Sequence, residues 1–317
     1  MTVAVLAGGV GAARFLRGLI RAVPARDVTA VVNTGDDTTL HGLAVSPDLD
    51  TVTYTLAGAI DPDRGWGLAD ETWRSMEALQ RYVAVRPDWS TAAPTWFNLG
   101  DRDLATHFYR TARLAEGADL TAVTAEITRA WNLTLRILPM TNDRFRTLIT
   151  LADGGDEVAF QDYFVRLRHS VPVSGVRFDH HAEITRESRS ALDGADVVVI
   201  APSNPLVSIG PIRALPGVDE LLTARRSSVV AVSPIVDGAA LKGPADRMLD
   251  ELGLEPSVVG VARLYAPVAE VLVVDPVDAD LSGAVERAGM RCVVEPSVMS
   301  TPERAEALAR RCLAVVD

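Results

Sequence analysis

The fold is decided by the stretch Val3-Ala4-Val5-Leu6-Ala7-Gly8-Gly9-Val10-Gly11-Ala12-Ala13-Arg14-Phe15. Its apolar first part predicts a buried strand, and its glycines predict a tight turn. From Phe15 onward, apolar residues recur at helical spacing. A strand, a glycine turn and a helix in this order are typical of parallel sheets that are covered by helices.

Short β-branched runs with the character of this first strand recur along the chain. They lie at residues 28–32, 197–200, 229–232 and 271–274. Between about residues 50 and 143 no comparable run appears, whereas residues 70–80, 103–114 and 120–130 show helical spacing. We therefore predict a single α/β domain over residues 1–317, with a doubly wound, mostly parallel, Rossmann-like sheet and a mainly helical insertion at residues 51–143.

The glycine turn is the first candidate binding site. Gly8, Gly9 and Gly11 permit close backbone approach, and the amides at the start of the helix would point at an anion such as a phosphate. Arg14 adds a charged donor. The loop lacks the Gly-Lys-Ser/Thr of a Walker A motif, and Arg14 stands where a dinucleotide fingerprint has its third glycine. A purely structural turn is the alternative.

The second candidate site follows the second strand, in Asn33-Thr34-Gly35-Asp36-Asp37. Ligands of parallel α/β sheets bind at this carboxyl edge. The adjacent carboxylates of Asp36 and Asp37 are suited to Mg²⁺, which would assist a phosphoryl transfer as a cofactor. The alternative is that both aspartates cap a turn or the next helix.

Other polar residues extend these sites. Asp50, within Ser46-Pro47-Asp48-Leu49-Asp50-Thr51, could orient or deprotonate a hydroxyl. Ser203 and Asn204 follow a later strand and are suited to a nucleotide base or ribose. Lys242 is either an anion contact or an ordinary solvated lysine. Trp66, Trp73, Trp89 and Trp96 gather in the insertion, where they either stack on a flat ligand or pack in a core or dimer contact.

Composition and charge exclude several classes of protein. The chain has 317 residues and a net charge of −11, so a broad surface for nucleic acid or an anionic membrane is not expected. The two cysteines form no zinc-binding pattern and fit a reducing compartment. No apolar stretch reaches the roughly 20 residues that cross a bilayer. These features predict a cytoplasmic protein whose ligands are small molecules.

Taken together, the motifs resemble the 2-phospho-L-lactate transferase family over nearly the whole chain. The resemblance begins with the glycine loop, Asn33-Thr34-Gly35-Asp36-Asp37 and Ser46-Pro47-Asp48-Leu49-Asp50-Thr51. It continues in the same order with Gly65-Trp66-Gly67, Leu99-Gly100-Asp101-Arg102-Asp103, Ile137-Leu138-Pro139-Met140-Thr141, Phe160-Gln161-Asp162-Tyr163-Phe164, Pro202-Ser203-Asn204-Pro205, Ser208-Ile209-Gly210-Pro211 and Val232-Ser233-Pro234-Ile235.

The resemblance implies an enzyme of coenzyme F420 biosynthesis. In such a reaction the ribityl hydroxyl of 7,8-didemethyl-8-hydroxy-5-deazariboflavin attacks a lactyl- or enolpyruvyl-diphosphoguanosine and releases GMP with Mg²⁺ assistance. By position, Asp50 and Asn98 would contact the deazaflavin, so that the insertion forms part of the acceptor pocket. The glycine loop with Ser203 and Asn204 would hold the guanosine diphosphate part. The family also suggests a homodimer.

Two alternatives of other classes stay open. A nucleotide-sugar-binding metabolic regulator of the same superfamily would share the glycine loop, but it would not need the tryptophan-bearing insertion. A dinucleotide-dependent oxidoreductase is suggested by fold analogy alone, and the missing third glycine and the paired aspartates argue against it.

Overall fold

A computed structural model describes residues 1–178 and 181–316. Its central sheet has seven strands, and the described residues also form three smaller sheets. In chain order the strands are β1 (Val3–Ala7), β2 (Val28–Val32), β3 (Thr38–Leu40), β4 (Leu43–Val45), β5 (Arg136–Pro139), β6 (Thr147–Leu151), β7 (Glu157–Ala159), β8 (Val173–Phe178), β9 (Val197–Ile200), β10 (Val229–Val232), β11 (Ile235–Val236), β12 (Ala239–Ala240), β13 (Val271–Val274) and β14 (Arg291–Val294).

The helices cover both faces of the sheet and build the insertion. In chain order they are α1 (Gly9–Ala22), α2 (Pro47–Leu56), α3 (Arg74–Val83), α4 (Asp103–Ala115), α5 (Leu120–Ala130), α6 (Arg186–Gly194), α7 (Gly210–Arg213), α8 (Val218–Ala224), α9 (Ala245–Glu251), α10 (Val258–Tyr265), α11 (Ser282–Arg287) and α12 (Pro302–Ala314). None of the described helices is both long enough and apolar enough to span a membrane.

The central sheet has the order β14-β13-β10-β9-β1-β2-β5, and every neighbouring pair in it is parallel. This confirms the predicted doubly wound α/β fold. The chain proceeds from β1 to one edge through β2 and to the other through β9, so the order reverses between β1 and β9. Such a reversal leaves a crevice at the carboxyl ends of the two strands, where ligands of this fold class bind.

Side chains of β1 alternate between two cores. Val3, Val5 and Ala7 pack in the core that contains α1 and α12, whereas Ala4 and Leu6 pack in the core on the opposite face. All five are at most 1% exposed. A strand that is buried on both faces needs apolar residues at every position, which explains why its sequence is an uninterrupted apolar run.

The region between residues 50 and 143 contains one strand of the central sheet. Arg136–Pro139 lies within the insertion that we predicted to be mainly helical, and it forms β5, the edge strand beside β2. The sequence pattern did not reveal this strand. The strand has only four residues, and an arginine and a proline stand at its ends. Both are tolerated at the edge of a sheet.

Helix α1 is held against the sheet by α12. Gly18 makes this contact close, because a Cβ there would lie 2.3 Å from the carbonyl carbon of Ala305 and 2.4 Å from its oxygen. Real side chains do not occupy such positions. Only glycine at residue 18 therefore allows the two helices to approach this closely.

Gly18→Ala is expected to destabilise the protein by about 1–3 kcal/mol, because the added methyl group must force α1 and α12 apart. Urea unfolding would measure the loss. Gly194→Ala is the matched control, since Gly194 also lies in a helix but has open space around it. Equal stabilities of the two variants would contradict the close helix contact.

Candidate functional site

A cavity of about 790 Å³ opens at the carboxyl edge of the sheet, at the β1–β9 crevice. Its walls come from the glycine loop after β1, the loops after β2, β9, β10 and β14, and residues 66–107 of the insertion. Among the residues that line it are most of the predicted site residues: Gly8, Gly9, Gly11, Arg14, Asp36, Asp50, Asn98, Ser203 and Asn204. The structure thus brings residues from both halves of the chain into one site.

The glycine loop lies directly against the loop after β9. A Cβ at Gly11 would be 2.1 Å from the carbonyl oxygen of Pro202, so this position requires glycine. The Ser203 hydroxyl donates a 2.7 Å hydrogen bond to the carbonyl of Gly8. Asn204 uses its side-chain oxygen to accept the amide of Leu206 at 2.9 Å. These contacts fix the shape of the crevice and leave the start of α1 facing the cavity.

Asp48 joins the glycine loop to the end of β2. Its Oδ1 accepts the Gly9 amide at 2.8 Å, and its Oδ2 accepts Asn33 Nδ2 at 2.9 Å. Burial raises the pKa of the Asp48 carboxyl to about 6, although both hydrogen bonds act to lower it. Asp48 also lines the cavity. The sequence analysis did not select it, although it stands only two residues before Asp50.

Asp36 lies in the same cavity as Asp48. Its Oδ1 is buried and makes no hydrogen bond to the described part of the chain. Burial first, and then the negative charges of Asp48 and Asp37, raise the pKa of Asp36 well above its usual range. Two buried carboxylates that lack a cation repel each other. A site of this kind binds a proton or a metal ion.

Asp37, Asn33 and Thr34 lie behind the cavity wall instead of lining it. Asp37 Oδ2 accepts a 2.6 Å hydrogen bond from the Ser46 hydroxyl, and burial raises the pKa of Asp37 to about 8. Asn33 holds Asp48 and accepts the Gly35 amide at 2.8 Å. Of the adjacent aspartates, Asp36 faces the cavity and Asp37 supports the loop beneath it.

Asp50 is paired with a buried arginine from the insertion. Arg110 Nη1 donates to Asp50 Oδ2 at 3.1 Å, and Arg110 Nη2 donates to Asp50 Oδ1. The Arg110 side chain is only 2% exposed, and it is one of the largest buried side chains in the described structure. Both oxygens of the Asp50 carboxylate are thus bound by one guanidinium. Asp50 therefore reaches the cavity with its charge already balanced.

His107 continues this polar network. Its Nδ1 lies 3.8 Å from Asp50 Oδ2, and its Nε2 lies 3.3 Å from Asp103 Oδ2. Tyr54 donates a 2.6 Å hydrogen bond to Asp103. The sequence analysis missed these residues. The available signal was the spacing of Asp103, His107 and Arg110, which places three polar side chains on one face of α4.

Aromatic rings line another part of the cavity. Trp66, Trp96 and Phe97 come from the insertion, and Phe160 and Phe164 come from the segment after β7. The Phe160 and Phe164 rings stack with centroids 5.4 Å apart. Asn98 follows directly after Phe97 and is exposed at the rim. The cavity therefore combines a polar, charged region at the sheet edge with an aromatic region.

The chain matches the family model described as 2-phospho-L-lactate transferase CofD over residues 3–298. It belongs to the CofD family. The sequence resemblance is thereby confirmed, and the chain is a transferase of this family, whose activity is consistent with F420 biosynthesis. The solved structure of a Bacillus halodurans protein has the same fold, with a TM-score of 0.62 at 16% identity over 98% of this chain and 99% of that one.

Curated relatives match over most of their length. The phosphoenolpyruvate transferase of Streptomyces griseus is 43% identical over 323 residues, which cover 100% of this chain and 99% of the relative. The phosphoenolpyruvate transferase of Mycobacterium avium is 42% identical over 290 residues, which cover 84% of each chain. The homodimer and the cytoplasmic location that we expected from the sequence stay predictions.

Arg110→Met is expected to destabilise the protein by about 3–5 kcal/mol, because it leaves the buried Asp50 carboxylate without its partner. The midpoint of urea unfolding would measure the loss. Arg113→Met is the control on the same helix, where the arginine pairs with Glu116 and Glu126 near the surface, and its effect should be much smaller. Equal losses would show that the Asp50 pair has no special role in stability.

The stability of the protein is expected to decrease as the pH rises from 5 to 8 in the presence of a chelator. Burial raises the pKa of Asp37 from 3.8 to about 8, so the folded state holds this proton more tightly than the unfolded chain. The resulting stabilisation is complete below about pH 4 and is lost as the pH approaches 8. Asp37→Asn should flatten this decrease, as measured by melting temperature against pH.

Asp101→Asn provides the comparison for the pH experiment. Hydrogen bonds from Thr72 and Ser75 lower the pKa of Asp101 to about 2, so its charge does not change between pH 5 and 8. This variant should keep the native slope. An Asp37→Asn profile that runs parallel to the native one would disprove the raised pKa.

Proposed function

We propose that this protein transfers a phospho-enolpyruvyl or phospho-lactyl group from a diphosphoguanosine donor to the ribityl hydroxyl of 7,8-didemethyl-8-hydroxy-5-deazariboflavin. The hydroxyl oxygen forms a bond to the phosphorus that carries the three-carbon acid, and the bond from that phosphorus to the bridging oxygen breaks. GMP leaves with the electron pair, and the hydroxyl proton is released. The names of the curated relatives and the family description support this assignment.

The observation that carries the proposal is the composition of this cavity. The start of α1, a buried acidic pair and an aromatic wall meet in about 790 Å³. The amides and Arg14 suit the diphosphate. Flat heteroaromatic rings such as a deazaflavin bind favourably against aromatic side chains. The volume is within the range of small-molecule sites.

We assign the metal site to Asp36 and Asp48, with Asp37 behind them. The unpaired Oδ1 of Asp36 and the raised pKa of both cavity carboxyls fit a hard divalent cation, since it would relieve their repulsion. When bound, Mg²⁺ would neutralise phosphate oxygens and make the attacked phosphorus more electrophilic. The sequence analysis proposed Asp36 and Asp37 for this role, and the position of Asp48 adds a ligand to that proposal.

Asp50 and Asn98 are proposed to position the acceptor. Because Arg110 holds both carboxylate oxygens of Asp50, we assign Asp50 the role of accepting a hydrogen bond from the ribityl hydroxyl and fixing its direction. Phosphoryl transfer depends mainly on positioning and charge neutralisation, so a strong base is not required.

The direct test is a chromatographic assay of the purified protein with the deazaflavin alcohol, Mg²⁺ and each candidate donor. GMP and a phosphorylated deazaflavin should appear with a lactyl, enolpyruvyl or glyceryl donor. Asp36→Asn should lower kcat at least about 100-fold, because a bound metal contributes several kcal/mol to transition-state stabilisation. Asp280→Asn, which changes an exposed aspartate outside the cavity, should leave kcat unchanged.

Absence of product with every donor, together with tight binding of a nucleotide sugar, would refute the transferase and favour a metabolic regulator. Full activity of Asp36→Asn would refute the proposed metal site and leave the transferase intact.

A further inference from the structure

Lys242 reaches the mouth of the cavity from the opposite half of the chain. It follows the β11–β12 hairpin, and its Nζ donates a 2.8 Å hydrogen bond to the carbonyl of Arg64 in the insertion. Gly65 is so close to Lys242 that a Cβ there would lie 2.5 Å from Nζ, and the same Cβ would lie 3.7 Å from Val10 of the glycine loop. The Lys242 ammonium is therefore held above the glycine loop.

Arg14 approaches the same place from α1. It is exposed and lines the cavity, and helical side chains lean toward the start of their helix, which directs its guanidinium toward the glycine loop. Burial, and next the charge of Arg14, lower the pKa of Lys242. Two cations near each other repel, so their proximity is favourable only when an anion lies between them.

Neither cation has an acidic partner in residues 1–178 and 181–316. The Lys242 ammonium uses one of its three donors for the Arg64 carbonyl, and Arg14 makes no hydrogen bond or ion pair there. Other arginines in the described structure, such as Arg110, Arg213 and Arg226, are bound by carboxylates. The free donors therefore remain available to an anionic ligand in the cavity.

We propose that Lys242 and Arg14 bind an anionic group of the donor, the phosphate that leaves with guanosine. This inference rests on the proposed function. The phosphate that is attacked must lie beside Asp36 and Asp48 if the metal binds there, and the second phosphate is only one bridging oxygen away. The glycine loop, Arg14 and Lys242 line the same cavity as Asp36 and Asp48, and a helix start with two cations beside it suits that second phosphate.

The two cations also stabilise the group that leaves in the proposed reaction. When the bridging bond breaks, negative charge develops on the oxygen that departs with GMP. Cationic donors that are fixed in advance stabilise this charge without reorganisation. Lys242 is held by its hydrogen bond to the Arg64 carbonyl, and Arg14 supplies the second cation from α1. Lys242 is thereby assigned to the binding of the diphosphoguanosine substrate, although it lies far from the glycine loop in sequence.

The test compares the binding of GMP and of guanosine to the full-length protein by calorimetry. Lys242→Gln should weaken GMP binding about 10- to 100-fold, as expected for a charged hydrogen bond of about 1.5–3 kcal/mol. Its affinity for guanosine should change less than about twofold, since guanosine has no phosphate. Lys242→Arg keeps the cation and should restore most of the affinity for GMP.

Three results would overturn the inference. Equal weakening of GMP and guanosine would show that Lys242 only holds the insertion loop in place. An unchanged affinity for GMP, with weaker binding of phosphoenolpyruvate, would assign the cations to the carboxylate of the three-carbon acid. If the native protein neither bound GMP nor formed product, the proposed function would fail along with this inference, whereas native activity with either of the first two results would refute the inference alone.

Discussion

The site depends on one buried carboxylate, that of Asp48. It binds the Gly9 amide with one oxygen and the Asn33 side chain with the other, so it ties the loop after β1, the end of β2 and the start of α2 together. The cost of burying this charge appears in the pKa of about 6. The three segments meet at this one carboxylate. It therefore fixes the positions of the groups that these segments carry at the sheet edge.

The insertion contributes charge balance as well as aromatic surface. Arg110, on α4, pairs with the cavity carboxylate of Asp50. Its positive charge also acts to lower the raised pKa of Asp37. A helix that is remote from the glycine loop in sequence thus balances part of the buried negative charge around the cavity.

The parts of the fold that the sequence predicted are those governed by local pattern. The bounds of β1, β2, β9, β10 and β13 agree with the apolar runs, because strands buried on both faces need such runs. Edge strand β5 escaped prediction since it has only four residues, of which the first is an arginine and the last a proline. At the site, the glycine loop and Asp36 were found from their position after strands. Asp48, His107 and Arg110 were not, because their roles arise from contacts between segments that local sequence does not encode.

The contact between α1 and α12 has a consequence for the order in which the protein matures. Helix α1 carries the glycine loop and is among the first elements to leave the ribosome, yet the surface that covers it is supplied by residues around Ala305. Residues 297–300, just before α12, also line the cavity. During synthesis, the nascent chain must therefore keep an apolar face of α1 uncovered until α12 has emerged, and chaperones have access to that face throughout this interval.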